Sequence, residues 1–556
     1  MTIKEEIRKI VLKAVREEAP EFSVDISDDK SHGDYSTNVA LILAKKSGKN
    51  PREVAEGIKA KIKNNIFSKI EIAGPGFVNF FISDNVFLDS LKKADEDFGK
   101  GKELKNKKII IDYTDANLFK EFHIGHLMSN AMGESLSRIF KFSGAKVKKV
   151  CYQSDIGLNV AKAIWGYQHL ESIGSPSEIE KWGVSYKHGS EAYDNEQFKK
   201  EINEINRKVY EKSDKEINKL YEKGKKESLR YFEEIYKKLG TKFDELISES
   251  QVIDLGKNIV EKGLKDGVFE KGEKGAIIFR GEKYGLHTRV FINSEGLPTY
   301  EAKDLGLAEF KYGEYKYNSS IIITANEQND YFKVMLCAMD KINPELAEKT
   351  KHIGHGMLRL PEGKMSSRTG KVITGESLIE KVEGLVKEKI KDRELSEKEK
   401  KEIIESVAIG AIKYSILKQS IGSDIIYDFN KSISFEGDSG PYLQYSYTRA
   451  ESVLRKAKAE KIKPSFINTP KEITELEKAI YHFPEIVLQA SENYEPHFLV
   501  LYLTDLAGAF NGYYAKNKIV DKGDEFSSYR IALTSAFATT MKNGMLLLGI
   551  NSLEKM

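Results

Sequence analysis

The sequence predicts a multidomain α/β protein, with a doubly wound, Rossmann-like parallel sheet between a small α+β domain and an all-helical bundle. Three observations carry this. A short β-branched run, KKIIIDY (107–113), is followed by a helical pattern and a second run, KVKKVCY, which together make a βαβ unit. Similar runs recur at SSIIITANEQ (319–328) and around HIGHGMLRL (352–360), with the helical DYFKVMLCAM between them, as parallel strands buried on both faces require. Beyond about residue 400 the strand signals fade, and IIESVAIGAIKYSILK, PHFLVLYLTDLAGAFNGYYAK and IALTSAFATTMKNGMLLLGI all space their apolar residues as helices.

A chain of 556 residues exceeds what one hydrophobic core supports, so several domains are expected. Residues 1–103 begin with an amphipathic helix and reach KIEIAGPGFVNFFIS, where Ile70, Ile72, Val78 and Phe80 alternate around Gly-Pro-Gly as a hairpin. FGKGKELKNKK (98–108) has linker composition. The sheet domain then spans 104–395. Its first helix is expected over 129–143, with Met132, Leu136, Ile139 and Phe140 on one face and Gly144 as its stop. The charged, helical stretch 201–240 marks an insertion at about 170–250, and 396–556 forms the bundle.

Composition narrows the function classes. No run approaches the roughly 18 apolar residues of a membrane span, and the N-terminus lacks a signal peptide's apolar centre, so a cytoplasmic protein without membrane attachment is expected. Cys151 and Cys337 are the two cysteines, too few and too far apart for a disulfide framework or a thiolate zinc site. The net charge of +3, from 88 basic and 85 acidic residues, is too balanced to imply nucleic acid. Such a partner has to come from motifs.

The tetrapeptide HIGH occurs at 123–126 and at 352–355. The first copy follows a strand and a loop and precedes a helix, so His123 and His126 belong at a helix N-terminus, where free N–H groups and the dipole favour phosphate. Imidazole donors there can stabilise charge on a pentacoordinate phosphorus, and Gly125 leaves room for a base or ribose. The second copy lies in an extended pattern. Its contribution is expected from the small backbone at Gly354 and Gly356, with Met357 beside them, meeting an adenine edge. It leads into EGKMSSRTGKVITG, where Lys364, Met365, Ser366, Ser367 and Arg368 make a cationic loop suited to a leaving pyrophosphate.

The first HIGH on a βαβ unit, followed far along the chain by a Lys-Met-Ser-Ser loop, resembles class I aminoacyl-tRNA synthetases. Within that class, IIIDYTDANLFKEFHIGHLMS resembles the signature of the arginyl-tRNA synthetases, which places Asp112, Asn117 and Lys120 at its acidic, Asn and Lys positions. PTYEAKDLGLA and ANEQNDYFK resemble two further segments of that family. The resemblance implies an arginine site of Asp112, Asn117, His123, Tyr300, Asp304 and Gln328, with the last three at strand ends or loops. An ATP site of Lys120, His123, Gly125, His126, Gly356, Met357 and the Lys364 loop is implied as well. SHGDYSTNVALILAKK with GPGFVNFF is similar to the family's N-terminal, tRNA-elbow domain, and the C-terminal segments resemble its anticodon-binding bundle. Asn38, Tyr442, Gln444, Tyr445, Arg449 and Tyr513 are then candidates to touch RNA by stacking or phosphate contact.

The implied activity is ligation of L-arginine to tRNA(Arg) through an arginyl-adenylate, with Mg2+-bound ATP as substrate, no prosthetic group, no zinc, and a monomer as the family default. QSDIGLNV (153–160) departs from the family pattern: Asp155 and Gly157 are kept, Ile156 and Asn159 differ. The sequence leaves open another synthetase specificity, a small-molecule nucleotidyl transferase, and a non-catalytic tRNA-binding paralogue.

Overall fold

Five β-branched segments stack as parallel strands in the order Thr350–His355, Ser319–Ala325, Lys108–Asp112, Lys146–Gln153 and Glu245–Ser248. The strand order reverses direction at Lys108–Asp112, so a switch-point crevice opens at its carboxyl end, where such sheets bind ligands. The structure, a computed structural model, describes residues 3–16, 21–27, 29–170, 177–359 and 374–556. The expected phosphate loop with Lys364, Met365, Ser366 and Ser367 lies outside the described residues.

Two compact units result, one of residues 1–99, 446–488 and 505–543, the other of 100–445, 489–504 and 544–556. This partition follows packing, whereas the segments 1–103, 104–395 and 396–556 follow chain order. In the first unit the predicted hairpin pairs Ile70 with Phe80 and Ile72 with Val78, within a four-stranded antiparallel sheet. The apolar stripe of the helix Ile3–Ala14 (Ile3, Ile7, Val11) packs into this unit's core with Tyr35 and Phe80. Tyr35 Oη donates to Glu485 at 2.7 Å, and Tyr529 Oη to Glu477 at 2.5 Å.

In the second unit, the helix expected from residue 129 starts at Ile124 and runs to Phe142. Its apolar periodicity is masked because it is enclosed: Ser129, Asn130, Glu134, Ser135 and Ser137 are buried along with its apolar residues. The insertion is helical as expected, with Glu178–Ala192, Glu196–Glu211 and Lys215–Lys238. The helices Leu158–His169 and Glu178–Ala192 cross at glycine on both sides: a Cβ at Gly166 would collide with the Ser185 carbonyl, and one at Gly189 with the Lys162 carbonyl.

Two features escaped the sequence pattern. A three-stranded antiparallel sheet (Glu270–Lys271, Ile277–Phe279, Arg289–Ile292) follows the insertion, its strands too short to show alternation. The pair Ile425–Ile426 lies among the C-terminal helices and pairs in parallel with Leu358–Arg359. No described helix is long and apolar enough to cross a membrane.

Candidate active site

The strand Lys108–Asp112 delivers the chain into a loop where Thr114, Asp115 and Phe119 take φ of 82°, 47° and 62°. A β-branched threonine in that region is strained and persists only where its surroundings dictate it. Here Thr114 N–H donates to Ser129 Oγ at 3.0 Å, Asn130 Nδ2 donates to Thr114 Oγ1 at 3.0 Å, and Phe119 N–H donates to Ser228 Oγ at 2.9 Å. Helices of the sheet domain and of the insertion thus fix the loop that carries Asp115, Asn117 and Lys120.

The helix then begins within the first HIGH. His123 is its N-cap, and a reciprocal capping box forms: His126 N–H donates to His123 Nδ1 at 3.4 Å, and His123 N–H to His126 Nδ1 at 3.2 Å. With both Nδ1 atoms accepting, the ring protons belong on Nε2. Desolvation, and then the Lys120 charge, lowers His123 to about 4; desolvation, His123 and Lys120 hold His126 well below the usual imidazole range. Both are therefore neutral donors near pH 7. A Cβ at Gly125 would stand 3.1 Å from the His123 ring, so this glycine first makes room for the folded-back imidazole rather than for a nucleotide. Thr374, the first described residue after 360–373, bridges to His123, and Gly375 N–H donates to Phe122 O at 2.6 Å. The described end of the Lys364 loop therefore meets the HIGH turn.

The loop that leads into this turn also lines a cavity of about 460 Å³, to which Asp112, Asn117, Tyr300, Asp304 and Gln328 all contribute. Tyr300 and Asp304 reach it differently from expectation, from the first turns of the helix Tyr300–Tyr315 rather than from a strand end or loop. Gln328 comes from the turn after the strand Ser319–Ala325. His123, also expected at arginine, is not among the lining residues, because its ring is folded onto His126 at 3.5 Å between centroids.

The cavity is rich in carboxylates, and most already have partners. Asp112 Oδ2 accepts from Lys311 Nζ at 3.0 Å with both side chains 1% exposed, so one oxygen of this expected guanidinium ligand is engaged by a resident cation, while its buried Oδ1 has no hydrogen-bond partner among the described residues. Glu249 pairs with Lys303, and Glu301 with Arg289 at 3.1 Å. Burial, then the Asp112 charge, pushes Asp115 well above the usual carboxylate range and favours its neutral form. Asp304 has no ion-pair partner among the described residues; Tyr331 Oη donates to it at 2.6 Å. Desolvation outweighs that bond and pushes Asp304 up to about 7. An entering cation would offset the desolvation and restore its charge.

The second HIGH has no such arrangement. His352 Nε2 meets Thr324 Oγ1 at 2.8 Å and its ring stacks on Phe332, while His355 Nδ1 meets Gly356 O at 2.7 Å. The main-chain groups expected to meet adenine are engaged: Gly356 N–H donates to Ile421 O at 2.8 Å, Met357 N–H to Asp424 at 2.9 Å, and Ile425 N–H to Met357 O at 2.8 Å. Crossing of the 421–425 segment is the reason.

The RNA candidates divide by burial. Gln444 is fully buried and donates to Asn551 O at 2.9 Å, which removes it as an RNA contact. Asn38 accepts from Ser23 N–H at 3.0 Å. Tyr442, Tyr445, Arg449 and Tyr513 are half-buried, and Arg449 lies over the exposed Tyr514 ring, 5.2 Å from its centroid.

Several site residues went unread in the sequence. Lys311 lies two turns beyond Asp304 on one helix face, and Tyr331 three residues beyond Gln328, so helical spacing around those motifs could have found both. Glu249, Tyr152, Arg289 and Tyr186 come from segments with no motif.

The geometry agrees with comparisons to known proteins. Residues 90–429 match the family model described as tRNA synthetases class I (R), catalytic domain; residues 443–556 match the DALR anticodon binding domain, and 1–82 the arginyl tRNA synthetase N terminal domain. The arginine--tRNA ligase of Fusobacterium nucleatum is 30% identical over 542 residues, covering 96% of this chain and 95% of that protein. That of Clostridium perfringens is 30% identical over 567 residues, covering 99% and 100%. The arginyl-tRNA synthetase structure from Thermus thermophilus superposes with a TM-score of 0.83 over all of both chains at 23% identity, a likeness of fold.

Proposed function

Because this chain belongs to the class I arginyl-tRNA synthetase family and ligates L-arginine to tRNA(Arg) with ATP, we propose that its 460 Å³ cavity holds the arginine side chain with the guanidinium on Asp304. The supporting observation is the charge pairing: Asp112, Glu249 and Glu301 have resident cations, Asp115 is pushed towards its neutral form, and Asp304 among the described residues has the Tyr331 hydroxyl and no cation. Tyr300, Asn117 and Gln328 complete the cavity's polar wall around that group.

The α-carboxylate then points towards the HIGH turn, where ATP phosphates meet the Nε2–H groups of His123 and His126. Lys120 and the Lys364 loop act on the same phosphates. A carboxylate oxygen attacks the α-phosphorus, the bond to the bridging oxygen breaks, and pyrophosphate leaves; no base is needed because the nucleophile is already ionised. The terminal ribose hydroxyl of tRNA next attacks the adenylate's carbonyl carbon and AMP departs. Imidazoles and lysines are donors suited to phosphate oxygens, so magnesium is carried by the nucleotide, whose charge it would neutralise. Residues 1–103 are assigned to the tRNA elbow and 396–556 to the anticodon arm.

The test is amino-acid use by Asp304→Asn. Arginine KM should rise at least about a hundredfold while ATP KM stays within threefold; unchanged arginine KM would remove the assignment. Pyrophosphate exchange with and without tRNA tests whether activation waits for tRNA, as the family relation suggests, and equal rates would refute that.

A further inference from the structure

Asn159 sits in the first turn of the helix Leu158–His169, whose N-cap Gly157 has φ 110° and ψ −173°, a conformation open almost to glycine alone. Nothing but the Tyr210 hydroxyl, at 3.9 Å, would meet a Cβ there, so conformation and not space requires the glycine. Its consequence is the placement of the next turn. Asn159 Nδ2 donates to Tyr300 Oη at 3.3 Å, and its Oδ1 accepts from Tyr186 Oη at 3.4 Å. The Tyr186 ring carries the Lys120 ammonium 3.7 Å from its centroid. One side-chain amide therefore joins a ring in the amino-acid cavity to the ring that holds the phosphate-side lysine.

We propose that Asn159 is a positioning residue that couples occupancy of the arginine cavity to the placement of Lys120 through Tyr300 and Tyr186. This rests on the arginine reading of the cavity. Arginine entering beside Tyr300 shifts or fixes that ring; its hydroxyl bond to Asn159 passes the change to Tyr186, whose face sets where the Lys120 charge stands. Desolvation lowers the Lys120 pKa, which makes its position and charge sensitive to the aromatic partner. The link uses residues of four segments: Lys120 of the HIGH loop, Asn159 of the helix Leu158–His169, Tyr186 of the insertion and Tyr300 of its own helix.

The test uses the full chain with saturating tRNA in pyrophosphate exchange. Asn159→Leu removes both bonds at similar volume and should raise arginine KM about tenfold and lower kcat several-fold, with ATP KM within about twofold. Asn159→Gln, which can remake both bonds, should recover most of the loss. Adding Asn159→Leu to Lys120→Met should lower kcat no further than Lys120→Met alone, since no ammonium remains to be placed. Losses that multiply, or an ATP KM that rises in parallel, overturn the proposal. Should Asn159→Leu fail to fold by circular dichroism, Tyr186→Phe, which keeps the ring and loses the hydroxyl, must show the same arginine KM rise. A wild-type value there overturns the proposal equally. Asp304→Asn run alongside separates the failures: if it abolishes arginine use while Asn159→Leu is silent, the cavity reading stands and the coupling falls; if it is itself silent, the cavity reading falls.

Discussion

His123 and His126 stack with ring centroids 3.5 Å apart and 22° from parallel, and each accepts the other's main-chain N–H. Capping the helix fixes each Nδ1 as acceptor and leaves each Nε2–H as donor, the form that the proposed phosphate role requires. His126→Ala should lower kcat about a hundredfold or more, on the order of 2.7–4 kcal/mol, with ATP KM little changed. Steady-state kinetics check this.

The same pair sets a pH expectation. His123 is lowered to about 4, so its neutral donor form persists well below its ordinary pKa, and kcat should show no inflection near 6.5. The stability that depends on this depressed pKa is present above about 6.5 and is lost as pH falls towards 4. A histidine inflection in kcat between pH 6 and 7 would contradict the buried, neutral pair.

Asp304 should instead govern arginine affinity. It is pushed up to about 7, and only its ionised form pairs with guanidinium, so arginine KM should rise as pH falls below about 7. A carboxyl raised on folding favours the folded state at low pH, and that advantage is lost as pH rises through the folded pKa. Asp304→Asn should therefore stabilise the protein above pH 7, by on the order of 2–4 kcal/mol, while abolishing arginine use. Thermal unfolding of the two proteins at pH 4 and pH 8 measures the difference.

Lys311→Met would leave the Asp112 carboxylate buried and uncompensated. A loss of about 3–5 kcal/mol is expected, and the double variant with Asp112→Leu should recover most of it. Denaturant unfolding of the two variants checks this; equal stabilities would show that the buried pair is not a unit.

Gly189→Ala places a methyl against the Lys162 carbonyl and pushes the helix carrying Tyr186 outward. The apparent unfolding transition should drop by about 1–3 kcal/mol. Arginine KM should rise with it if Tyr186 holds Lys120.

The fold was legible wherever a segment's environment is simple. Strands buried on both faces read as apolar runs, and the Gly-Pro-Gly hairpin appeared as apolar alternation on either side of its turn. The helix Ile124–Phe142 was read five residues late because its enclosed first turns bury Ser129 and Asn130 alongside their apolar residues, and the apolar face shows only from Met132 on. The antiparallel sheet of residues 270–292 was missed because its longest strand, Arg289–Ile292, has 4 residues.

By itself the sequence determined most element types and the HIGH turn, which are local properties of spacing and side-chain type. Its resemblance to the arginyl-tRNA synthetases pointed to five residues that share one cavity: Asp112, Asn117, Tyr300, Asp304 and Gln328. Only the tertiary structure decided which of the cavity's carboxylates carry a resident cation. Asp112 looked equivalent to Asp304 until the fold brought Lys311, 199 positions away, onto it, and Lys303 and Arg289 onto Glu249 and Glu301. Charge pairing depends on distance in space and on exclusion of water, neither of which is written in the order of the residues.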